Sequence, residues 1–163
     1  MTVMHFPGII PRRVHFTIGP PGCGKTTLAH DFLQQSKRAV VSLDGLRAGL
    51  FNGKRAFWDN PTEERRQLVR WAYDQSCNLI RNNTDWDVML PNTNVGHEFW
   101  LHARYAFRGW EFIVHIFDDV SLEELLRRGA LRPLEDRISP EVITEYWDRF
   151  NAPDAYWRSL KNA

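Results

Sequence analysis

The stretch VHFTIGPPGCGKTT, residues 14 to 27, changes character at Gly19. Val14 to Ile18 is short, mostly apolar and closed by a glycine, which is the pattern of a buried strand. The next six residues hold three glycines and two prolines, a composition that suits neither strand nor helix. From Lys25 the spacing predicts a helix to about Gln35, with Leu28, Ala29 and Phe32 on one face. Gly19 to Thr26 fits G-x-x-x-x-G-K-[ST] in full, between the strand and the helix that this motif requires. Gly19, Gly22 and Gly24 let the loop's N–H groups, that of Cys23 included, converge on an anion. The helix N-terminus, from Lys25 through Thr27, adds its positive end. Lys25 is placed to reach the terminal phosphates of a nucleotide and Thr26 to offer its hydroxyl to Mg²⁺, so ATP and Mg²⁺ are the expected ligands. The Cys23 side chain fills a variable position and is expected to be inert.

Outward from the loop, strands and helices alternate. Residues 38–43 (RAVVSL) read as a second strand ending at Asp44, residues 87–90 (DVML) as a third, and residues 111–117 (EFIVHIF) as a fourth. Asn60 as N-cap and Pro61 at the first helical position predict a long helix, striped by Leu68, Val69, Ala72, Tyr73, Leu79 and Ile80. His97 to Arg108 reads as a helix stopped by Gly109. Ser121 with Glu124 reads as a capping box, and Ser139-Pro140 opens a last helix to about Phe150. This alternation predicts an α/β fold with a parallel sheet. No apolar run remains for a fifth strand, so four strands are expected. Such sheets bind ligands at the carboxyl ends of their strands.

The 163 residues are the usual size of one domain, and residues 1–163 are read as such. The formal net charge of +1 advertises no broad basic field for nucleic acid, though gripping one strand end needs none. Two cysteines, Cys23 and Cys77, are too few for a disulfide scaffold or a zinc cage, and a reducing cytoplasm is the default. The N-terminal MTVMHFPGIIPRR carries its charges after its apolar patch, the reverse of a secretory signal, and no run reaches transmembrane length. Most of the seven tryptophans are expected in the core, with a few facing bases or sugars.

A phosphate loop alone does not define chemistry. A motor ATPase needs an apolar strand ending in an acidic pair; only the late HIFDDV, residues 115–120, could serve. A guanine-specific N-K-x-D is absent from the sequence. A small kinase remains. Asp44 follows the second strand and Arg47 comes three residues later. If that strand adjoins the sheet centre, Asp44 can accept the proton of an attacking hydroxyl. Arg47 can hold an anionic part of the acceptor with its planar fork. The competing reading makes Asp44 a helix N-cap and Arg47 a solvated side chain. Arg128 and Arg132, four apart, share a face if their helix continues, and can offset charge on a moving phosphoryl group. Phe57 and Trp58 lie among cations; they read either as a staple for the following helix or as a stacking surface for a single strand.

With these motifs in this order, the chain resembles the phage and bacterial polynucleotide 5′-hydroxyl kinases over about residues 14 to 150. The motifs are Gly19 to Thr26, Asp44 to Arg47, Thr93-Asn94, and Arg128 to Arg132. The resemblance implies a P-loop kinase fold with a helical lid and transfer of the ATP γ-phosphate to the 5′-OH of DNA or RNA. It implies Asp44 as general base, Arg47 on the acceptor's 3′-phosphodiester, Arg132 on the donor phosphates and Arg128 securing ATP. Asn94 and Trp58 join the expected acceptor contacts. The partner is then a single-stranded or frayed 5′ end, met through few phosphates, so the salt slope should be near −1 to −2. Location is expected to be cytoplasmic, in a host cell if the source is a phage. The chain departs from the family in carrying Pro91-Asn92 where an aspartate often precedes the Thr-Asn pair. Residues 85–89 (DWDVM) look like a phosphatase D-x-D but follow a polar RNNT. Two other functions stay open: a kinase for another hydroxyl, such as a base hydroxymethyl group, a nucleoside or a small molecule, and an ATP-binding regulatory module.

Overall fold

A computed structural model describes residues 12–161; the reading of the N-terminal patch falls on residues outside these. Four strands form one parallel sheet: β1 (Arg13–Ile18), β2 (Arg38–Val40), β3 (Asp87–Leu90) and β4 (Glu111–Ile116), in the order β2-β3-β1-β4. The helices are α1 (Lys25–Leu33), α2 (Leu43–Phe51), α3 (Lys54–Trp58), α4 (Glu63–Asn83), α5 (His97–Ala106), α6 (Leu122–Ala130), α7 (Pro140–Asn151) and α8 (Trp157–Lys161). A single 3-10 turn, Leu134–Asp136, follows α6. The expected α/β fold with four parallel strands is therefore observed.

The sheet's centre is legible in its burial. All four residues of β3 are buried, as a parallel strand covered on both faces must be. β1 lies beside it in register Val14↔Val88 and Phe16↔Leu90, and pairs with β4 along its whole length. Val14, Phe16 and Ile18 point to one face, where they pack with Phe107, Trp110, Phe150 and Trp157. Phe150 and Trp157 stack at 4.7 Å, and the indole Nε1 donates to the Phe150 carbonyl at 2.8 Å. Burying each such ring stabilises by roughly 1.5–3 kcal/mol. Helix α8, which secures this cluster, has no counterpart in the sequence reading.

Three expectations are corrected. β2 is an edge strand of three residues paired with the central β3, shorter than the expected run of residues 38–43. The chain leaves the sheet early because the Ser42 hydroxyl accepts from Gly45 N at 3.2 Å and starts α2. Helix α4 is capped by Thr62, whose Oγ1 accepts from Arg65 N at 3.3 Å; Asn60 and Pro61 stay outside it. Its buried residues are Val69 and Cys77, while Leu68 and Leu79 are exposed. Of the tryptophans, Trp58, Trp71 and Trp86 face solvent. Among the described residues no helix is long and apolar enough to cross a membrane. The D-x-D-like segment is used inside the sheet: Asp87 accepts from Arg13 N at 2.9 Å and pairs with Arg38.

Candidate active site

The loop between β1 and α1 has the backbone its sequence demands. Gly24, at φ +115°, is the left-handed N-cap of α1, a conformation that a side chain would strain. A Cβ at Gly19 would lie 2.8 Å from the Cys23 sulfur and 2.9 Å from Phe117 Cβ, so the loop closes tightly on the end of β4. Gly19 N donates to Thr93 O at 3.0 Å, which ties the loop to the turn after β3.

Lys25 is 7% exposed. Its Nζ donates to Gly19 O at 2.9 Å, Pro20 O at 2.6 Å and Cys23 Sγ at 3.3 Å. No ion pair to it occurs among the described residues. Burial pushes its ammonium below the ordinary lysine range; the Cys23 thiol opposes this and Arg132 adds to it. A buried cation held by neutral acceptors alone is costly, and an anion in the loop would relieve it. The cradle thus fits a nucleotide's phosphates. Cys23, expected to be inert, is in fact one of the groups holding Lys25. Thr26 and Thr27 are exposed at the start of α1. Among the described residues no group of three or more metal-ligating side chains occurs. A Mg²⁺ that arrives with a nucleotide is held largely by its phosphates and waters, and the Thr26 hydroxyl at the start of α1 would be the side chain to meet it.

Arg128 and Arg132 both reach this loop, though not as one helical face. Helix α6 ends at Ala130, and Arg132 sits in the turn beyond it. Arg128 Nη1 donates to Gly22 O at 3.3 Å while its Nε holds Glu124 at 2.7 Å. A Cβ on Gly22 would come within 3.8 Å of an Arg132 Nη. Only half of the capping box at Ser121 forms. The serine hydroxyl accepts from Glu124 N, but the Glu124 carboxylate, held down to about 2 by Arg127 and then Arg128, turns to those two arginines.

Helix α2 carries the acid whose charge reaches Lys25. Asp44 lies in its first turn and is exposed; Ser42, not Asp44, caps the helix, so the capping role proposed for the carboxylate falls away. Arg47 Nη1 donates to Asp44 Oδ1 at 2.6 Å. The guanidinium carbon lies 4.7 Å from the Trp58 ring centre and 5.2 Å from that of Phe57. Arg47 is no solvated side chain: its Nε is buried and has no hydrogen-bond partner. Phe57 is buried against Phe51 and Trp58, whereas Trp58 keeps 52% of its surface exposed. β2 pairs with the central β3, and Asp44, in the first turn of the α2 that follows it, lies within electrostatic range of Lys25.

The side chain that fixes α2 is Asn92, which the sequence marks only as a departure from the resembled family. Asn92 Oδ1 accepts from Leu43 N at 2.9 Å, and its backbone carbonyl accepts from Thr17 Oγ1 at 2.9 Å. Asn92 thus joins the start of α2 to the central strands, from the position where the resembled family often carries an aspartate. Its place directly after β3, on the ligand-binding edge, was the available signal. Asn94 is set differently from the acceptor contact expected of it. It is buried at φ +50°, its amide donates to Thr17 O at 2.8 Å and Leu90 O at 3.3 Å, and its carbonyl accepts from Tyr156 Oη at 2.6 Å.

The family whose description is AAA domain matches residues 14–153, from the first residues of β1 to just beyond α7. The chain belongs to the AAA domain family. No curated protein matches the sequence of this AAA domain. Its fold is similar to a chain of the Pnkp1/Rnl/Hen1 RNA repair complex, with TM-score 0.73 and 17% identity over 88% of this chain and 45% of that one. It is also similar to shikimate kinase from Acinetobacter baumannii in complex with shikimate, with TM-score 0.59 and 15% identity over 93% of this chain and 81% of that one. A gluconokinase from Sinorhizobium meliloti 1021 gives TM-score 0.55 and 14% identity over 91% and 79%. The AAA domain spans less than half the length of the RNA repair chain it matches. At such identities these likenesses concern architecture: the domain has a P-loop kinase-like fold.

Proposed function

We propose that this chain is an ATP-dependent phosphotransferase that acts on the 5′-hydroxyl of a DNA or RNA strand. The observation that carries the reading is the Asp44–Arg47–Trp58 group beside the phosphate loop. It offers an anion that can take a proton, a fork that can hold a phosphodiester, and an exposed ring that can stack on a base. A small polyol acceptor needs no stacking surface, which is why the nucleic acid is preferred.

In this reading the acceptor strand lies across Trp58, with the phosphodiester 3′ to its first sugar on Arg47. The sugar's 5′-oxygen faces the loop. Asp44 accepts the hydroxyl proton as the oxygen forms its bond to the γ-phosphorus and the bond to the bridging β–γ oxygen breaks, leaving ADP. Lys25, Arg128 and Arg132 face the transferred group from the donor side and offset its charge. Mg²⁺, when bound, supplies further neutralisation of the phosphate oxygens.

The test is an oligonucleotide with a plain 5′-OH incubated with γ-labelled ATP. Label at the 5′ terminus is expected. Label on an internal base would transfer the reaction to a base hydroxymethyl group, and label on no nucleic acid would point to a small-molecule acceptor. Release of inorganic phosphate alone would fit the regulatory module.

A further inference from the structure

A cavity of about 510 Å³ opens beside α2, and the mechanism above leaves it without a role. Its walls include Ala48, Asn52, Lys54, Arg55, Glu135 and Asp136. Asp44, Ala48 and Asn52 are spaced four apart and share one face of α2 and its cap. The cavity therefore begins about 6 Å along the helix from Asp44, one turn at 1.5 Å per residue. Its far wall is the 3-10 turn Leu134–Asp136, which follows Arg132 in the chain. Lys54 Nζ and Asp136 Oδ1, 2.5 Å apart, join the two walls. The segment that sets a donor-side arginine over the loop thus also closes a space on the acceptor side.

The size falls in the range of pockets that enclose one drug-sized unit, roughly 300–1,000 Å³. Its surface is mostly apolar, with a polar part from Lys54, Arg55, Asn52, Glu135 and Asp136. Lys54 and Arg55 donate, Glu135 and Asp136 accept, and the Asn52 amide does both. Arg55 is paired with Asp59 at 2.8 Å. The Lys54–Asp136 pair is partly exposed, at 29% and 43% of the side chains, and such pairs are weak. A phosphodiester can therefore take Lys54 from Asp136, while the carboxylate so freed accepts from a base or sugar.

We propose that this cavity is the subsite for the second nucleotide of the acceptor strand, with the turn Leu134–Asp136 as one wall. The inference rests on the proposed reaction at Asp44. It makes phosphorylation depend on acceptor length, and it places that dependence in Ala48, Asn52, Lys54 and the turn, in addition to the first-nucleotide contacts of Arg47 and Trp58.

The test compares kcat/KM for a nucleoside 3′-monophosphate, a dinucleotide 3′-phosphate and a tetranucleotide. Values should rise about tenfold from the first to the second and then level. Ala48→Phe, which puts a ring into the end of the cavity nearest Asp44, should bring the dinucleotide-to-mononucleotide ratio close to one. Asp136→Ala, which removes the wall's carboxylate, should lower that ratio about threefold; ATP binding by each variant reports an intact fold. An equal kcat/KM for all three acceptors, or a wild-type ratio in both variants, overturns the subsite while leaving the proposed reaction standing. Label on none of the three overturns the reaction and the subsite together.

Discussion

Arg47 donates to Asp44 at 2.6 Å across a single turn of α2, and only the carboxylate is open to solvent: its side chain is 58% exposed against 19% for the arginine. The pair is asymmetric in a useful way. The arginine is held against the Phe57 and Trp58 rings, so it orients the carboxylate; in the proposed reaction the other carboxylate oxygen meets the hydroxyl.

Replacing Asp44 by Asn keeps the shape and removes the proton acceptor. Turnover should fall by roughly 10² to 10⁴ while ATP binding changes little. Single-turnover kinetics with a 5′-OH oligonucleotide measures this, and undiminished turnover would take Asp44 out of the mechanism.

Arg47→Lys keeps the charge but loses both the planar fork and the stack on Trp58. The acceptor KM should rise about tenfold, with kcat within a few-fold of wild type. An equal fall in kcat and kcat/KM would mean that Arg47 acts on the transition state instead.

Lys25→Met removes the cation from its nest of carbonyls. ATP with Mg²⁺ at a hundred times its Kd should stabilise the wild-type protein by about 2.7 kcal/mol, seen as a higher Tm. In the variant that rise should vanish. A preserved Tm shift would place the triphosphate elsewhere.

Asn94→Ala should act on the fold. It leaves the carbonyls of Thr17 and Leu90 without the buried amide that binds them, a cost of about 1–3 kcal/mol. The measured result should be a lower Tm with the acceptor KM unchanged. A raised KM at constant Tm would return Asn94 to the acceptor contacts.

Acid should weaken the sheet through a histidine pair. His15 Nδ1 and His115 Nε2 lie 3.0 Å apart on neighbouring strands, so one ring must donate and the other accept. Burial and then His115 lower the His15 pKa to about 4, with Arg38 and Arg13 adding to the effect and Asp87 opposing it; burial lowers His115 as well. Between pH 6.5 and 4 the unfolded chain binds more protons than the folded one, so this contribution is present above 6.5 and is lost as pH falls toward 4. Discounted for half-exposed rings, it is on the order of 1 kcal/mol. Urea unfolding of wild type and His115→Gln at pH 7 and pH 4.5 should show a smaller acid loss in the variant. Equal losses would remove the pair from the pH response.

Local chemistry explains what could be read in advance. The loop from Gly19 to Thr26, the strands at residues 14, 87 and 111, and the caps at Ser121 and Ser139 each depend on residues close in the chain, whose types carry the conformation with them. The four-stranded parallel sheet followed from their alternation. The places of Asp44 and Arg47 in the segment that follows the second strand were visible too, because such sheets bind ligands beyond the carboxyl ends of their strands.

What only the tertiary structure decided depends on contacts between distant residues. Asn92 holds the start of α2, and no pattern around residue 43 points to it. Arg132 reaches Gly22 from a turn, because α6 packs on α7 closely enough for a Cβ at Gly129 to lie 2.7 Å from Ile143. Asn94 turned inward because its left-handed backbone aims its amide at two buried carbonyls. The edge position of β2 is a matter of pairing order, which a three-residue strand cannot announce. Sequence determined which segments could carry a phosphate loop and an acid–arginine pair; packing across the sheet decided which side chains face each other there, since hydrogen bonds and burial act through space and not along the chain.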